Sequence, residues 1–153
     1  MYEESFRSPL LMRWPGTIPA GTTIEALVQN IDLGPTFLTA AGLPVPDEVH
    51  GIPMQPVLAG EIPDTWRKDI LYRYFDGGTL QNRGPYNMPR HEGVRDSRYK
   101  LISFYDHDAW EFYDLQRDPQ ELQNRYKDPT AQPEIERLKG RLEALKRAYG
   151  VEM

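Results

Sequence analysis

A chain of 153 residues, 39% hydrophobic and 27% charged, suits one soluble domain with a real core, and no apolar run approaches the roughly 20 residues that cross a bilayer. A formal net charge of −5 with no basic face argues against nucleic acid or an acidic membrane as partner. The absence of cysteine excludes a disulfide frame, a thiolate zinc site and a cysteine nucleophile within these residues. No basic stretch followed by an apolar one marks a secretion signal near Met1.

The chain opens with MYEESF, where charged positions surround Tyr2 and Phe6 in a way unlike a frayed terminus. PLLMRW at 9–14 then reads as a buried strand entering the Pro15-Gly16 turn. Ile24, Ala26 and Val28 in IEALVQN alternate with polar positions, which predicts a half-buried strand over 24–30. Asp32 is placed to cap a helix that carries Pro35 in its first turn, buries Leu33, Phe37, Leu38 and Ala41, and ends at Gly42. A short helix is predicted from Pro53 to Ala59, closed by Gly60.

The β-branched and aromatic residues of ILYRYF at 70–75 predict a strand. DGGTLQNRGPYNMPR at 76–90 has no period and predicts a functional or disordered loop. HEGVRD, RYKLISFY and AWEFYDL follow, joined by turns at Asp96-Ser97 and Asp106-His107-Asp108, which predicts an antiparallel meander. Asp118-Pro119-Gln120-Glu121 reads as a structural turn opening a short helical turn. The last element carries Pro133 at its start and Ile135, Leu138, Leu142, Leu145 and Tyr149 on one face. That helix needs the sheet to cover its stripe, so the fold class is α+β: about four antiparallel strands, covered on one side by a long C-terminal helix.

The residues hold no complete catalytic apparatus. His50, His91 and His107 have no metal-ligand spacing, and Asp106, Asp108 and Asp114 lack the glycine and distal glutamate of a calcium loop. No G-x-S-x-G, P-loop or dinucleotide glycine pattern occurs. His91 stands out because it leaves the aperiodic loop beside Arg90, beyond Asn82, Arg83 and Tyr86, where it suits a sugar hydroxyl or an anion; the competing reading is a strand-end histidine with its ring half packed.

Taken in order, MYEESFRSPLLMRWPGTIPAGT, VQNIDLGPTFLTAAGLPVPDEVHG, GVRDSRYKLI and WEFYDLQRDPQELQN closely resemble the C-terminal part of the type I (arylsulfatase-type) sulfatases, over nearly the whole chain. The resemblance implies an alkaline-phosphatase-like fold. Residues 1–60 would complete a large α/β catalytic domain, and residues 61–153 would form the small C-terminal α+β subdomain. It also implies a parent enzyme that hydrolyses sulfate esters with a formylglycine, made from the cysteine or serine of C/S-x-P-S-R, and with calcium held by Asp and Asn or His.

That motif is absent here, and the paired aspartates and the sulfate-contacting lysine would precede Met1. The catalytic residues therefore transfer to no position, and the chain is expected to be inactive alone, with the N-terminal catalytic domain of the same protein as its partner. Only Arg90 and His91 carry over, as residues lining the cleft of relatives that act on sulfated sugars. Family members are often exported, by a signal outside these residues. Two readings compete with a sulfatase fragment: a stand-alone binding module using Tyr86, Arg90 and His91, and part of a phosphonate or phosphate monoester hydrolase of the same superfamily. The fragment reading predicts that Leu10, Leu11 and Trp14 are exposed in this chain.

Overall fold

A computed structural model describes residues 2–75 and 88–151. In chain order the helices and strands are α1 Glu3–Phe6, α2 Leu33–Ala40, α3 Gln55–Leu58, β1 Asp69–Tyr74, β2 His91–Asp96, β3 Tyr99–Phe104, β4 Ala109–Asp114 and α4 Gln132–Ala148, with 3-10 turns at Asn30–Asp32 and Pro129–Ala131. They fall into two compact units, Pro9–Lys68 on one hand and Met1–Ser8 with Asp69–Met153 on the other.

The second unit is the meander, four antiparallel strands in the order β1-β2-β3-β4. The Asp96 carboxylate builds the β2–β3 turn by accepting the amides of Arg98 at 2.8 Å and Tyr99 at 2.6 Å. The β3–β4 turn closes with Asp108 in the left-handed region at φ 49°, which short polar side chains tolerate. Ile135, Leu138, Leu142 and Leu145 of α4 are buried with Val94, Leu101 and Phe112 in one core cluster. Three ion pairs bind the helix to the sheet: Arg137–Asp96 at 2.6 Å, Arg141–Asp69 at 2.7 Å and Lys146–Glu92 at 2.8 Å.

Helix α4 and the meander agree with the expected α+β class, yet the sheet is covered on both faces rather than one. On the face opposite α4, Tyr72, Ile102 and Tyr113 form a second cluster, against which Phe6 packs. Residues Glu3–Phe6 thus form a short helix lying on the sheet: Phe6 meets Tyr72 at 5.0 Å between ring centroids, and the preceding Tyr2 meets Tyr113 at 6.2 Å. Glu121 also departs from expectation. It sits in the left-handed region at φ 54° and is buried, so the turn at Asp118 leads into no helical turn.

Residues 9–68 gather around Met54, Val57, Leu58 and Trp66. Neither 9–14 nor 24–30 is a strand. Ile24, Ala26 and Val28 do turn toward this small core, so the alternation correctly marked a buried side, but no neighbouring strand supplies a ladder. Leu10 and Leu11 are exposed, Leu11 at 95%, whereas Trp14 is half-buried against the core, contrary to its expected exposure. Helix α2 ends as expected, with Gly42 at φ 69° and the Leu43 amide bonded back to the Leu38 carbonyl at 2.9 Å. Pro35 and Thr36 are buried and Leu33 packs half-buried on this core as expected, but Phe37 is 60% exposed and Ala41 is also exposed, so only part of the expected face is covered. The helix expected over Pro53–Ala59 is the shorter α3.

Asp32 does not cap α2 with its side chain. Its buried carboxylate accepts the amides of Gln29 at 2.7 Å and Ile52 at 2.8 Å and pairs with both terminal nitrogens of Arg67. Gly51, next to Ile52, is required by packing, because a Cβ there would run into the Ile31 carbonyl. Of the aperiodic stretch 76–90, residues 76–87, with Asn82, Arg83 and Tyr86, lie outside the described residues; Met88, Pro89 and Arg90 lead into β2.

Candidate substrate-facing edge of the sheet

His91 opens β2 directly across from Tyr74, the last residue of β1. Its ring is fully buried, stacked on Tyr74 at 5.4 Å and packed against Phe104 at 5.4 Å and Tyr72 at 6.0 Å. Nδ1 lies 2.9 Å from the Pro89 carbonyl, which can only accept, so the proton is on Nδ1. Burial pushes the imidazole below its ordinary value, with the Pro89 carbonyl opposing in part, and the ring is neutral at pH 7. Of the two readings the sequence left for His91, the ring is packed more completely than a half-packed strand end.

Arg90, one residue earlier, is partly exposed. Its Nε and Nη2 each donate to Asp106 at 2.7 Å, and its guanidinium lies 5.6 Å from the centre of the Tyr105 ring. The Arg90 guanidinium holds the Asp106 carboxyl below its usual range, and Asp106 raises Arg90 in return. Arg73 approaches the same Tyr105 ring at 5.5 Å and also lies 5.5 Å from the exposed Phe75 ring. This end of the sheet therefore presents aromatic rings and guanidinium groups, while His91 beneath acts as packing for the strand that carries Arg90. Rings and guanidinium groups of this kind are chemically suited to orienting a polar ligand, and among the described residues this end of the sheet holds no nucleophile.

A second set of charges escaped the sequence reading. Lys100 is fully buried on the α1 side of the sheet, with Nζ 2.8 Å from Glu3 Oε1 and 2.8 Å from Glu121 Oε1. The Glu3 amide donates to Glu121 Oε2 at 2.6 Å, and Arg95 reaches Glu3 at 3.4 Å. Burial alone would raise the Glu3 carboxyl, but Lys100, aided by Arg95, more than offsets it and holds the group below its ordinary value. The only sequence clue was a lysine inside the otherwise apolar run YKLISF. Two cations, Lys100 and Arg95, and two carboxylates, Glu3 and Glu121, thus latch α1 onto the sheet.

Two of the three aspartates at 106–114 are engaged by arginines, Asp106 by Arg90 at 2.7 Å and Asp114 by Arg98 at 2.8 Å. Among the described residues no group of three or more His, Cys, Asp or Glu could hold a metal ion. His50 lines a shallow apolar groove with Asn30, Ile31, Pro35, Leu38 and Val49, and His107 is exposed in its turn.

Comparisons agree with this architecture. The family model for the C-terminal part of N-sulphoglucosamine sulphohydrolase matches residues 1–148. The chain is 42% identical over 127 residues to an N-acetylglucosamine-6-O-sulfatase of Bacteroides thetaiotaomicron, covering 81% of this chain and 22% of that protein. A solved structure of BT4656 in complex with its substrate D-glucosamine-2-N,6-O-disulfate superposes with a TM-score of 0.82 at 35% identity, covering 90% of this chain and 28% of that one. The phosphonate monoester hydrolase of Silicibacter pomeroyi superposes at 0.76 with 28% identity, again over 90% of this chain and 28% of that one. The chain thus spans about a quarter of these relatives. With its helix-backed meander and a match from residue 1 to residue 148, it belongs to the family of sulfatase C-terminal domains.

Proposed function

We propose that this chain completes a sulfatase acting on sulfated carbohydrate, with a 6-O-sulfated N-acetylglucosamine unit as the substrate class. The observation that carries this reading is the 42% identity across 127 residues to a protein of that named activity. In this reading residues 1–60 finish the large catalytic domain and 61–153 form the small subdomain. The nucleophile, made as formylglycine, and the calcium site are supplied by the N-terminal catalytic domain, and the chain alone is inactive. Arg90 contributes to leaving-group recognition from the exposed end of the sheet, and His91 holds the strand that presents it.

The test joins these 153 residues to the N-terminal portion of the Bacteroides thetaiotaomicron sulfatase in place of its own C-terminal part. Sulfate release from N-acetylglucosamine 6-sulfate is expected from the joined enzyme and from none of the separate chain, even with calcium. In the joined enzyme, Arg90→Ala is expected to slow turnover of the sulfated sugar about ten-fold or more while sparing a small aryl sulfate. An equal effect on both substrates rejects a role in sugar recognition. The similarity to a phosphonate monoester hydrolase favours a second reading, and a joined enzyme that cleaves a phenylphosphonate monoester in preference to the sulfate would replace the first.

A further inference from the structure

Arg90 is held in one direction although its side chain is 43% exposed. Glu92 pairs with Ser103 in the β2–β3 ladder, and the same register continued outward brings Arg90 level with Tyr105 and next to Asp106 in the turn that follows. The Asp106 carboxylate accepts from Nε and from Nη2, both at 2.7 Å, and the guanidinium lies 5.6 Å from the centre of the Tyr105 ring. A carboxylate gripping one edge of the planar group, with a ring beside it, leaves the side chain little freedom. Exposed ion pairs add little stability, so what this one supplies is orientation.

The pairing also settles what the site can take. Nε and Nη2 serve Asp106, while the Nη1 end meets no acceptor among the described residues. Arg73 beside it is committed to Glu92 at 3.2 Å, and Lys146 shares that carboxylate at 2.8 Å, so neither offers a spare positive charge. What stands open is a donor, Nη1, next to an acceptor, the partly exposed Asp106 carboxylate. A sugar hydroxyl, which both donates and accepts, matches that pair; a sulfate, which only accepts, meets the carboxylate's repulsion. We infer that Asp106 is a positioning residue for Arg90, and that the two together select a free sugar hydroxyl against an additional O-sulfate at the same place. This inference rests on the sulfatase reading above and sharpens the part that reading gives to Arg90.

The test compares the joined enzyme described above with its Asp106→Asn and Asp106→Glu variants on N-acetylglucosamine 6-sulfate and on the 3,6- and 4,6-disulfates. The ring hydroxyls are the probe because a solved relative already holds a 2-N,6-O-disulfate. The parent is expected to prefer the monosulfate to at least one of the disulfates. Asp106→Asn should raise KM for the monosulfate several-fold and cut that preference about ten-fold or more, because the guanidinium is freed to meet an anion. Asp106→Glu should keep the preference. Equal slowing of all three substrates by Asp106→Asn marks a structural role and overturns the inference, as does an unchanged preference; sulfate release in either case leaves the sulfatase reading standing. A joined enzyme that releases no sulfate sinks that reading, and the positioning is then judged on the 153-residue chain by NMR of the arginine Nε–H groups. There the Arg90 Nε–H should exchange with water at least ten-fold more slowly than that of the exposed Arg147, and lose this protection on Asp106→Asn. Equal exchange at the two arginines overturns the clamp.

Discussion

The two units solve the same problem, how to bury polar groups, by different means. In the sheet unit three ladders pair the strands, and the buried charges serve as fasteners: Lys100 with Glu3 and Glu121 on one face, Glu92 with Arg73 and Lys146 on the other. In residues 9–68 no ladder exists, and one carboxylate does much of the organising. Asp32 gathers the amides of Gln29 and Ile52 and the Arg67 guanidinium, so three separate stretches of chain meet at one side chain. A sheet distributes its cohesion over many bonds, whereas a single buried hub concentrates it. The sheet unit should therefore tolerate local damage, and residues 9–68 should fail at one residue.

The largest effect is expected at that hub. Asp32→Ala leaves a buried guanidinium and two amides without their acceptor, a loss of about 3–5 kcal/mol, and should disorder residues 9–68 while the meander persists; amide exchange by NMR distinguishes the two units. Lys100→Met should cost somewhat less, about 3 kcal/mol, because Glu3 can turn to water while Glu121 cannot. Adding Glu121→Gln should restore part of that loss in chemical denaturation, whereas strictly additive losses would show that the pair is not coupled.

Gly93→Ala comes next, at about 1–3 kcal/mol for overpacking. Its Cβ would meet the Tyr72 hydroxyl at 2.5 Å and crowd the Leu101 carbonyl, so the glycine gives the Tyr72 ring room to cross β2. The smallest effect is acid sensitivity in the sheet unit. With His91 held below its ordinary 6.5, the unfolded chain binds the proton more readily. Stability is therefore full above pH 6.5 and falls as the pH drops from there toward the folded value. His91→Phe should flatten that part of the stability profile, and an unchanged slope would mean that the ring is not buried in solution.

The same contrast explains what could be read in the sequence. Strands β1 to β4 and helix α4 were legible because alternation, turn residues and the three-and-four spacing of Ile135, Leu138, Leu142 and Leu145 all state the same fold locally. Residues 9–14 and 24–30 carry strand-like patterning without a strand, because pattern reports which side is apolar and not whether a neighbour is present to pair. Phe37 misled for the same reason: its spacing marks a face for burial that residues 9–68 do not supply. The latch at Lys100 and the Arg90–Asp106 pair join residues distant in sequence, and no local rule connects them. His91 drew notice as a loop-exit histidine, but its aromatic surroundings come from β1 and β3.

In the proposed reading a self-sufficient sheet unit carries a stretch of chain that another domain completes. Native-state hydrogen exchange on the 153-residue chain tests it most directly. Amides of Tyr99–Phe104 and of α4 between Leu138 and Leu145 should exchange slowest, near the global limit, while those of residues 10–13 and 24–28 should exchange almost as fast as in an unfolded chain. Comparable slow exchange in both regions would contradict it, because it would mean that residues 9–68 are already complete without the domain that the sulfatase reading supplies.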